Sequence, residues 1–427
     1  RDPYEDAEIE DTAEIVLNAD QRTAFARLLG LYGERRGAAA LLHGVTGSGK
    51  TQVYMKLIDE ISAQGRGVIV MVPEISLTPQ TLSLFHSRYG KAVAVFHSAL
   101  SVGQRMDEWK RVKRGEAKIA IGTRSAVFAP FDDLGLIVMD EEQEHTYKSE
   151  SSPRFHARDV ARFRAAYHKS LLLLASATPS VESYSAALAG RYALCRLPGR
   201  FGGAELPEVL VVDMREELAQ GGTGVLSGRL RELIAENLAD SRQTILLLNR
   251  RGHNTFVSCR SCGHVMTCGN CSISLTYHSA NGRLMCHYCG ASREMTHECP
   301  ECGGQHIRCS GYGTQRAEQE LAAFFPAARI LRMDADSVMS RRAYEDKLGS
   351  FAAGEYDIML GTQMVAKGLD FPNVTLVGVL GADQAMYADD FRSFERTFAL
   401  LTQVVGRSGR GTSPGVALIQ TMTPDSE

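Results

Sequence analysis

Along the chain, short apolar runs alternate with longer stretches in which apolar residues recur at helical spacing. Ala38 to His43, Val68 to Val72, Val93 to Phe96, Lys118 to Gly122, Leu134 to Met139 and Leu171 to Ala175 read as buried strands. Thr51 to Gln64, Thr78 to Tyr89, Val102 to Arg114 and Ala157 to Tyr167 read as helices. Strands alternating with helices predict a parallel sheet covered on both faces, here an α/β lobe over residues 14–197. The glycine-rich stretch Pro198 to Gly228 is read as a connection, and residues 198–254 as linker plus the start of a second lobe. There the alternation resumes with helix Arg229 to Leu238 and strand Thr244 to Leu248. A cysteine-rich insertion, residues 255–309, then interrupts it. Residues 310–427 complete the second lobe with helices Gln315 to Phe325, Arg342 to Phe351 and Ser393 to Val405. Its strands are Arg329 to Met333, Asp357 to Leu360, Val374 to Leu380 and Val416 to Gln420. The first thirteen residues hold six acids and no apolar period, an expected tail or linker.

Composition agrees with this division. The 427 residues allow two to three domains at about 150 each, and a 44% hydrophobic fraction supplies large cores. A charged fraction of 23% and a net charge of −3 argue against disorder and against bulk polybasic binding, so any nucleic-acid contact must be local. No apolar run reaches the roughly 18 residues of a membrane span, and no signal peptide is visible. The chain begins with Arg1, which points to a fragment. Eight of its ten cysteines fall between Cys259 and Cys302, and in a chain that reads as an intracellular enzyme such a cluster points to metal.

Gly44-Val45-Thr46-Gly47-Ser48-Gly49-Lys50-Thr51 fits a phosphate-binding loop between a strand and a helix. Its amides and the helix N-terminus can hold ATP phosphates, with Lys50 on the β- and γ-phosphates and Thr51 on Mg²⁺. The buried strand Leu136 to Met139 runs into Asp140-Glu141-Glu142. Asp140 is expected to hold Mg²⁺ through water and Glu141 to activate the attacking water. Ser176-Ala177-Thr178 follows another buried strand, and Gln403-Val404-Val405-Gly406-Arg407-Ser408-Gly409-Arg410 ends a helix of the second lobe. Arg407 and Arg410 are expected to act as arginine fingers on the γ-phosphate.

The order of these motifs resembles superfamily 2 helicases, and further segments narrow the resemblance. Leu17 to Gln21, Val72 to Gln80, Phe96 to Ser98, Gly122 to Pro130 and Gly361 to Pro372 look like the primosomal protein N′ (PriA) family of replication-restart helicases. The resemblance implies two RecA-like lobes of the P-loop NTPase fold with a two-zinc insertion in the second. It implies a bacterial, cytoplasmic and nucleoid-associated enzyme that binds ATP, Mg²⁺ and two Zn²⁺ and moves 3′ to 5′ on DNA. Single-stranded and forked DNA and the primosome and replication-restart proteins are the implied partners, with no membrane. By the same resemblance Gln21 reads the adenine, Gly361, Thr362 and Asp370 join nucleotide to strand contacts, and Gln403 lies near the γ-phosphate. Tyr147 to Phe155 matches the family's aromatic-rich loop, where Tyr147 and Phe155 beside Lys148, Arg154 and Arg158 could stack on bases. Gln143 stands where the family often has histidine, which bears on the coupling of DNA contact to hydrolysis. The family also carries N-terminal DNA-binding and C-terminal domains for which this chain has no room.

Cys259/Cys262, Cys268/Cys271, Cys286/Cys289 and Cys299/Cys302 form four CxxC pairs, enough for two tetrahedral zinc sites. Five residues between the first two pairs disfavour sequential pairing, while nested and crossed pairings stay open on spacing. The resemblance implies nesting: Cys259, Cys262, Cys299 and Cys302 on one ion, Cys268, Cys271, Cys286 and Cys289 on the other. His264, His287 and His297 are expected at the surface. Two other readings compete with the helicase: a double-strand translocase or remodeller, and an inactive zinc-stabilised scaffold, which has no need of Lys50, Asp140, Glu141 and Arg410 together.

Overall fold

The computed structural model describes residues 14–73, 79–98, 100–203, 205–221, 224–248, 257–271, 273–278, 281–309, 314–334, 341–362, 371–387, 390–409 and 414–426. Asp370, Arg410 and the motif stretches 74–78 and 363–370 lie outside these residues. The chain divides into two compact units, Arg1–Gly203 and Ala204–Glu427.

The first unit runs α1 (Ala19–Gly33), β1 (Ala39–Gly44), α2 (Lys50–Ala63), β2 (Gly67–Met71), α3 (Pro79–Tyr89), β3 (Val93–Phe96), α4 (Val102–Lys113), β4 (Ile119–Gly122), β5 (Leu134–Asp140), α5 (Ala157–His168), β6 (Leu171–Ser176), α6 (Val181–Leu188) and β7 (Ala193–Leu197). Its seven strands are all parallel, in the order β3-β4-β2-β5-β6-β1-β7. Alternate residues feed separate cores: Leu42, Val70, Val138 and Leu173 one face, Leu41, Ile69, Ile137 and Leu172 the other. Burial on both faces is why these strands read as unbroken apolar runs.

Three elements escaped the hydrophobic pattern. The buried face of α1 includes Gln21 and Tyr32, α6 buries only Ser183 and two alanines, and β7 is an edge strand with Arg196 turned outward. Their apolar stripes are therefore thin.

The second unit runs β8 (Glu208–Asp213), α7 (Met214–Ala219), α8 (Gly228–Ala239) and β9 (Gln243–Leu248) before a small module of five short strands. These are β10 (Val257–Cys259), β11 (Thr276–His278), β12 (Arg283–Met285), β13 (Ser292–Glu294) and β14 (Ile307–Cys309). It continues with α9 (Thr314–Phe324), β15 (Ile330–Met333), α10 (Arg341–Ala352), β16 (Ile358–Gly361), β17 (Val374–Leu380), α11 (Asp383–Met386), α12 (Ser393–Val405) and β18 (Val416–Thr421). The main sheet is again parallel, ordered β15-β16-β9-β17-β18-β8. Its edge strand β8 lies inside the glycine-rich stretch read as a connection, and its exposed Val209 and Val211 explain why it carried no buried-strand signal. No helix among the described residues is long and apolar enough to cross a membrane.

Strand contact is closest at Gly122, where an added Cβ would lie 2.0 Å from the Phe96 carbonyl oxygen. Backbone cannot yield as a flexible side chain can. Gly122→Ala is expected to destabilise the first unit by about 1–3 kcal/mol, read in urea unfolding by the fluorescence of Trp109, the only tryptophan.

Candidate active site and metal centres

The parallel register aligns the carboxyl ends of the central strands. His43 of β1 faces Ser176 of β6, and Asp140 of β5 faces Ala175. The loop after β1, the acids after β5 and the Ser176 hydroxyl therefore share one sheet edge, where open α/β sheets place their ligands. In the loop, Gly47 and Gly49 adopt φ of 79° and 77°, a backbone region that side chains disfavour, and α2 begins at Lys50. The Lys50 ammonium donates to the carbonyls of Gly44 at 2.8 Å and Val45 at 3.3 Å, at the mouth of the loop.

Gln21 is fully buried behind the loop. Its Nε2 donates to the Ser48 carbonyl at 3.0 Å, while its Oε1 accepts from the Asn18 N–H at 2.9 Å. Asn18 returns the bond by capping Gln21 N–H, so a capping box at the start of α1 anchors that helix to the phosphate loop. The Asn18/Gln21 spacing was its sequence signal.

The three acids at the end of β5 divide their work. Asp140 accepts from the Tyr54 hydroxyl at 3.1 Å and from the Glu141 N–H at 3.0 Å. Burial, reinforced by the neighbouring charge of Glu141 and opposed by Lys50, pushes its pKa up to about 6. Glu141 has φ of 46°, uncommon outside glycine and worth about 1–3 kcal/mol of strain. Its carboxylate accepts from Gln143 Nε2 at 2.9 Å, and Gln143 Oε1 accepts from the Ser176 hydroxyl at 2.6 Å. Ser176 Oγ in turn accepts from the Thr178 N–H at 2.9 Å. One amide thus joins the acidic turn to Ser176-Ala177-Thr178.

Glu142 turns inward instead. It accepts from the Ser180 N–H at 2.7 Å and the Ser183 hydroxyl at 2.9 Å, and pairs with Arg158 at 3.4 Å. It holds the start of α6. Thr51 and Asp140 offer a hydroxyl and a carboxylate, oxygen donors that suit a hard cation such as Mg²⁺.

The aromatic-rich loop departs from expectation. Tyr147 is 1% exposed, and its hydroxyl donates to the Asp140 carbonyl at 2.6 Å and the Met71 carbonyl at 3.0 Å. No face of that ring is available to a base. Phe155 packs edge-on against Phe128, with ring centroids 5.0 Å apart, and Arg158 is committed to Glu142, Ser180 and Ser183. The loop braces the end of β5 because its one fully buried aromatic ring carries a hydroxyl shared between two backbone carbonyls.

In the second unit Gln403 is buried on α12, and Arg407 follows in a turn whose N–H donates to the Val404 carbonyl. Gly361 ends β16, and Thr362 N–H donates to the Met333 carbonyl.

The eight cysteines gather as two nested sets, Cys259, Cys262, Cys299 and Cys302, and Cys268, Cys271, Cys286 and Cys289. Within each set all sulfurs lie within 4.8 Å of one another. The pairs Cys259–Cys302, Cys262–Cys299 and Cys268–Cys289 stand 3.7, 3.7 and 3.6 Å apart. Tetrahedral zinc with 2.3 Å bonds needs about 3.8 Å. No histidine among the described residues joins either set. All four CxxC turns use one device: the first cysteine's N–H bonds the carbonyl five residues on, at His264, Ile273, Ala291 and Gly304. Gly263, Gly290 and Gly303 supply the left-handed residue in three of them, with φ of 81°, 74° and 69°. The outer set docks on the lobe through Gly263, where a Cβ would lie 2.5 Å from the Met422 carbonyl oxygen, and through Arg215, which donates to the Cys262 carbonyl. Cys195 is buried in β7 with its thiol pKa raised by burial, a packing residue.

Residues 18–186 match the DEAD/DEAH box helicase family, 309–412 the helicase conserved C-terminal domain, and 268–293 the PriA DNA helicase Cys-rich region (CRR) domain. The chain resembles the solved structure of RecG bound to a three-way DNA junction (TM-score 0.54, 15% identity, 96% of this chain and 43% of that one). It also resembles Mycobacterium smegmatis helicase Lhr bound to ssDNA and AMP-PNP (TM-score 0.53, 14% identity, 96% and 48%). At such identities the likeness concerns the fold, and with the family matches it defines a chain built from two RecA-like lobes of the helicase domain families. The replication restart protein PriA of Bacillus subtilis is 50% identical over 424 residues, covering 99% of this chain and 53% of that protein. PriA of Treponema pallidum is 41% identical over 418 residues, covering 98% and 62%. The chain belongs to the PriA replication restart family, and it spans about half the length of the curated relatives it matches.

Two measurements test this geometry. Purified chain is expected to release two zinc equivalents to a chelating dye, and Cys268→Ser one, since the sets share no ligand. Tyr147→Phe removes the hydroxyl shared by the Asp140 and Met71 carbonyls and is expected to cost about 1–3 kcal/mol in unfolding, with DNA affinity unchanged; a base-stacking role would reverse that pattern.

Proposed function

We propose that this chain is the motor core of an ATP-dependent DNA helicase that moves 3′ to 5′ and opens duplex at stalled or abandoned replication forks. The observation that carries this reading is the meeting, on one sheet edge, of the phosphate loop, the Asp140–Glu141 pair and the Ser176 hydroxyl. Bound ATP with Mg²⁺ supplies the phosphoryl group and the cation that screens its charge. The amides of Gly47 to Thr51 would hold the phosphates, with the Ser48 N–H leaving the Val45 carbonyl and Lys50 leaving those of Gly44 and Val45 to neutralise them. Thr51 and Asp140 would hold the cation. Glu141 takes a proton from the attacking water, oriented by the amide of Gln143.

In this reading Gln143, whose departure from histidine bears on the coupling of DNA contact to hydrolysis, carries that coupling through its bond to Ser176. Its amide keeps one donor and one acceptor at any pH, whereas histidine changes its donor count on titration. Gln403, Arg407 and Arg410 are assigned to the γ-phosphate. Gln21 is assigned to the adenine, toward which its buried amide would have to turn out from its bonds to Asn18 and Ser48. Gly361, Thr362 and Asp370 are assigned to coupling with the strand. The substrate is single-stranded and forked DNA in the bacterial cytoplasm at the nucleoid, and the partners are the primosome and replication-restart proteins. The zinc module contacts displaced DNA or partners.

Hydrolysis of ATP by wild-type chain is expected to require single-stranded DNA and to weaken with salt as counterions are released. Glu141→Gln is expected to lower kcat by about 100- to 10,000-fold with nucleotide affinity nearly unchanged. Unwinding of a 3′-tailed duplex should fall with it. Hydrolysis indifferent to every nucleic acid would sink the motor reading, and stimulation by blunt duplex without unwinding would favour a remodeller.

A further inference from the structure

The segment Leu197 to Phe201 belongs to no motif of the site, and it lies between the stretches matched as helicase domains, 18–186 and 309–412. It nonetheless touches the phosphate loop at three successive points. Pairing of β7 with β1 sets Leu197 beside Gly44, where an added Cβ on the glycine would stand 2.8 Å from Leu197 Cβ. The Leu197 carbonyl accepts from the Val45 N–H at 3.2 Å. The chain then turns across the loop, and the Phe201 N–H donates to the Gly47 carbonyl at 2.8 Å. Between these bonds Arg200, 8% exposed, lays Cγ, Cδ and Nε 3.8 to 4.0 Å from where a Cβ of Gly47 would stand.

Gly47 is the first of the two left-handed residues on which the loop turns. In a planar trans peptide its carbonyl and the Ser48 N–H point in opposite directions, so holding one fixes the other, here on the Val45 carbonyl at 3.1 Å. A contact on the Gly47 carbonyl is therefore a contact on the geometry of the phosphate cradle. From Phe201 the chain passes within a few residues into the second unit.

We propose that Leu197 to Phe201 is a strap that presets the phosphate loop, with Arg200 as its positioning residue, so that nucleotide binding is felt where the chain leaves the first unit. The proposal rests on the nucleotide reading above. If the strap favours the binding-competent loop, bound nucleotide must in return tighten the strap, because coupling between two sites is reciprocal.

Hydrogen–deuterium exchange of residues 198–203 in the full chain, with and without ADP and Mg²⁺, reads the strap directly. Exchange is expected to slow by about fivefold or more on binding, a coupling of ordinary size. Phe201→Pro removes the amide donor, whereas Phe201→Ala, at a half-exposed side chain, keeps it. The first is expected to raise the Kd for ADP by about fivefold to tenfold, the second by less than about twofold. Arg200→Ala should weaken ADP like Phe201→Pro, and Arg200→Lys should recover part of the loss through its retained alkyl stem. Unaltered melting curves separate these effects from misfolding, and the wild-type exchange result stands without any variant. Wild-type chain that binds ADP with no change in exchange at 198–203, or an Arg200→Ala chain that binds as wild type does, overturns the strap alone. Wild-type chain that binds no ADP overturns the strap and the nucleotide reading together.

Discussion

Parallel strands that end at one level are the constraint on which the first unit's chemistry depends. A parallel sheet buried on both faces leaves its side chains no freedom of register, because a one-residue slip would exchange the two cores. With register fixed by Leu41, Leu42, Ile137, Val138, Leu172 and Leu173, the last residues of β1, β5 and β6 have nowhere else to go. Groups far apart in sequence, Gly44, Asp140 and Ser176, become neighbours as a by-product of apolar packing. The polar site is placed by the hydrophobic core.

A layer of buried polar groups then fixes orientations that packing alone would leave loose. Glu142, Tyr147 and Gln21 are each withdrawn from water and each hydrogen-bonded on more than one side. Unsatisfied, any of them would be costly at these depths, so the arrangement is nearly all-or-none. Glu141 is the converse case, an acid held in a disfavoured backbone conformation between two such braces. Strain is affordable there because Asp140 on one side and Glu142 on the other are pinned.

Much of this was legible in the sequence. Buried strands announced themselves because β1, β2, β5, β6, β9 and β17 are apolar on both faces, and the phosphate loop did so because its glycines are required by geometry. Edge strands β7 and β8 did not, since a half-exposed strand with Arg196 or Val211 outward has no distinctive period. The division of labour among Asp140, Glu141 and Glu142 was likewise invisible, for it depends on Ser180 and Ser183 arriving from another element. Tyr147 misled for the same reason: an aromatic beside basic residues looks alike in sequence whether its hydroxyl meets solvent or two backbone carbonyls. Cysteine spacing left nested and crossed pairings open, and the fold of the strands between the knuckles decided between them. The glycine after Cys262, Cys289 and Cys302 was a signal of the turn type that spacing arguments overlook.

Nesting has a kinetic meaning for the metal module. The inner set spans the turn between Cys271 and Cys286, a far shorter loop than the one from Cys262 to Cys299 that the outer set must close. Loop-closure entropy grows with length, so capture of the first ion by the inner cysteines shortens the effective loop left for the second. Assembly therefore has a natural direction, from the tip of the insertion toward the lobe. The outer set then closes last, and it is the outer cysteines that sit next to β10 and β14 and rest on Met422 and Arg215.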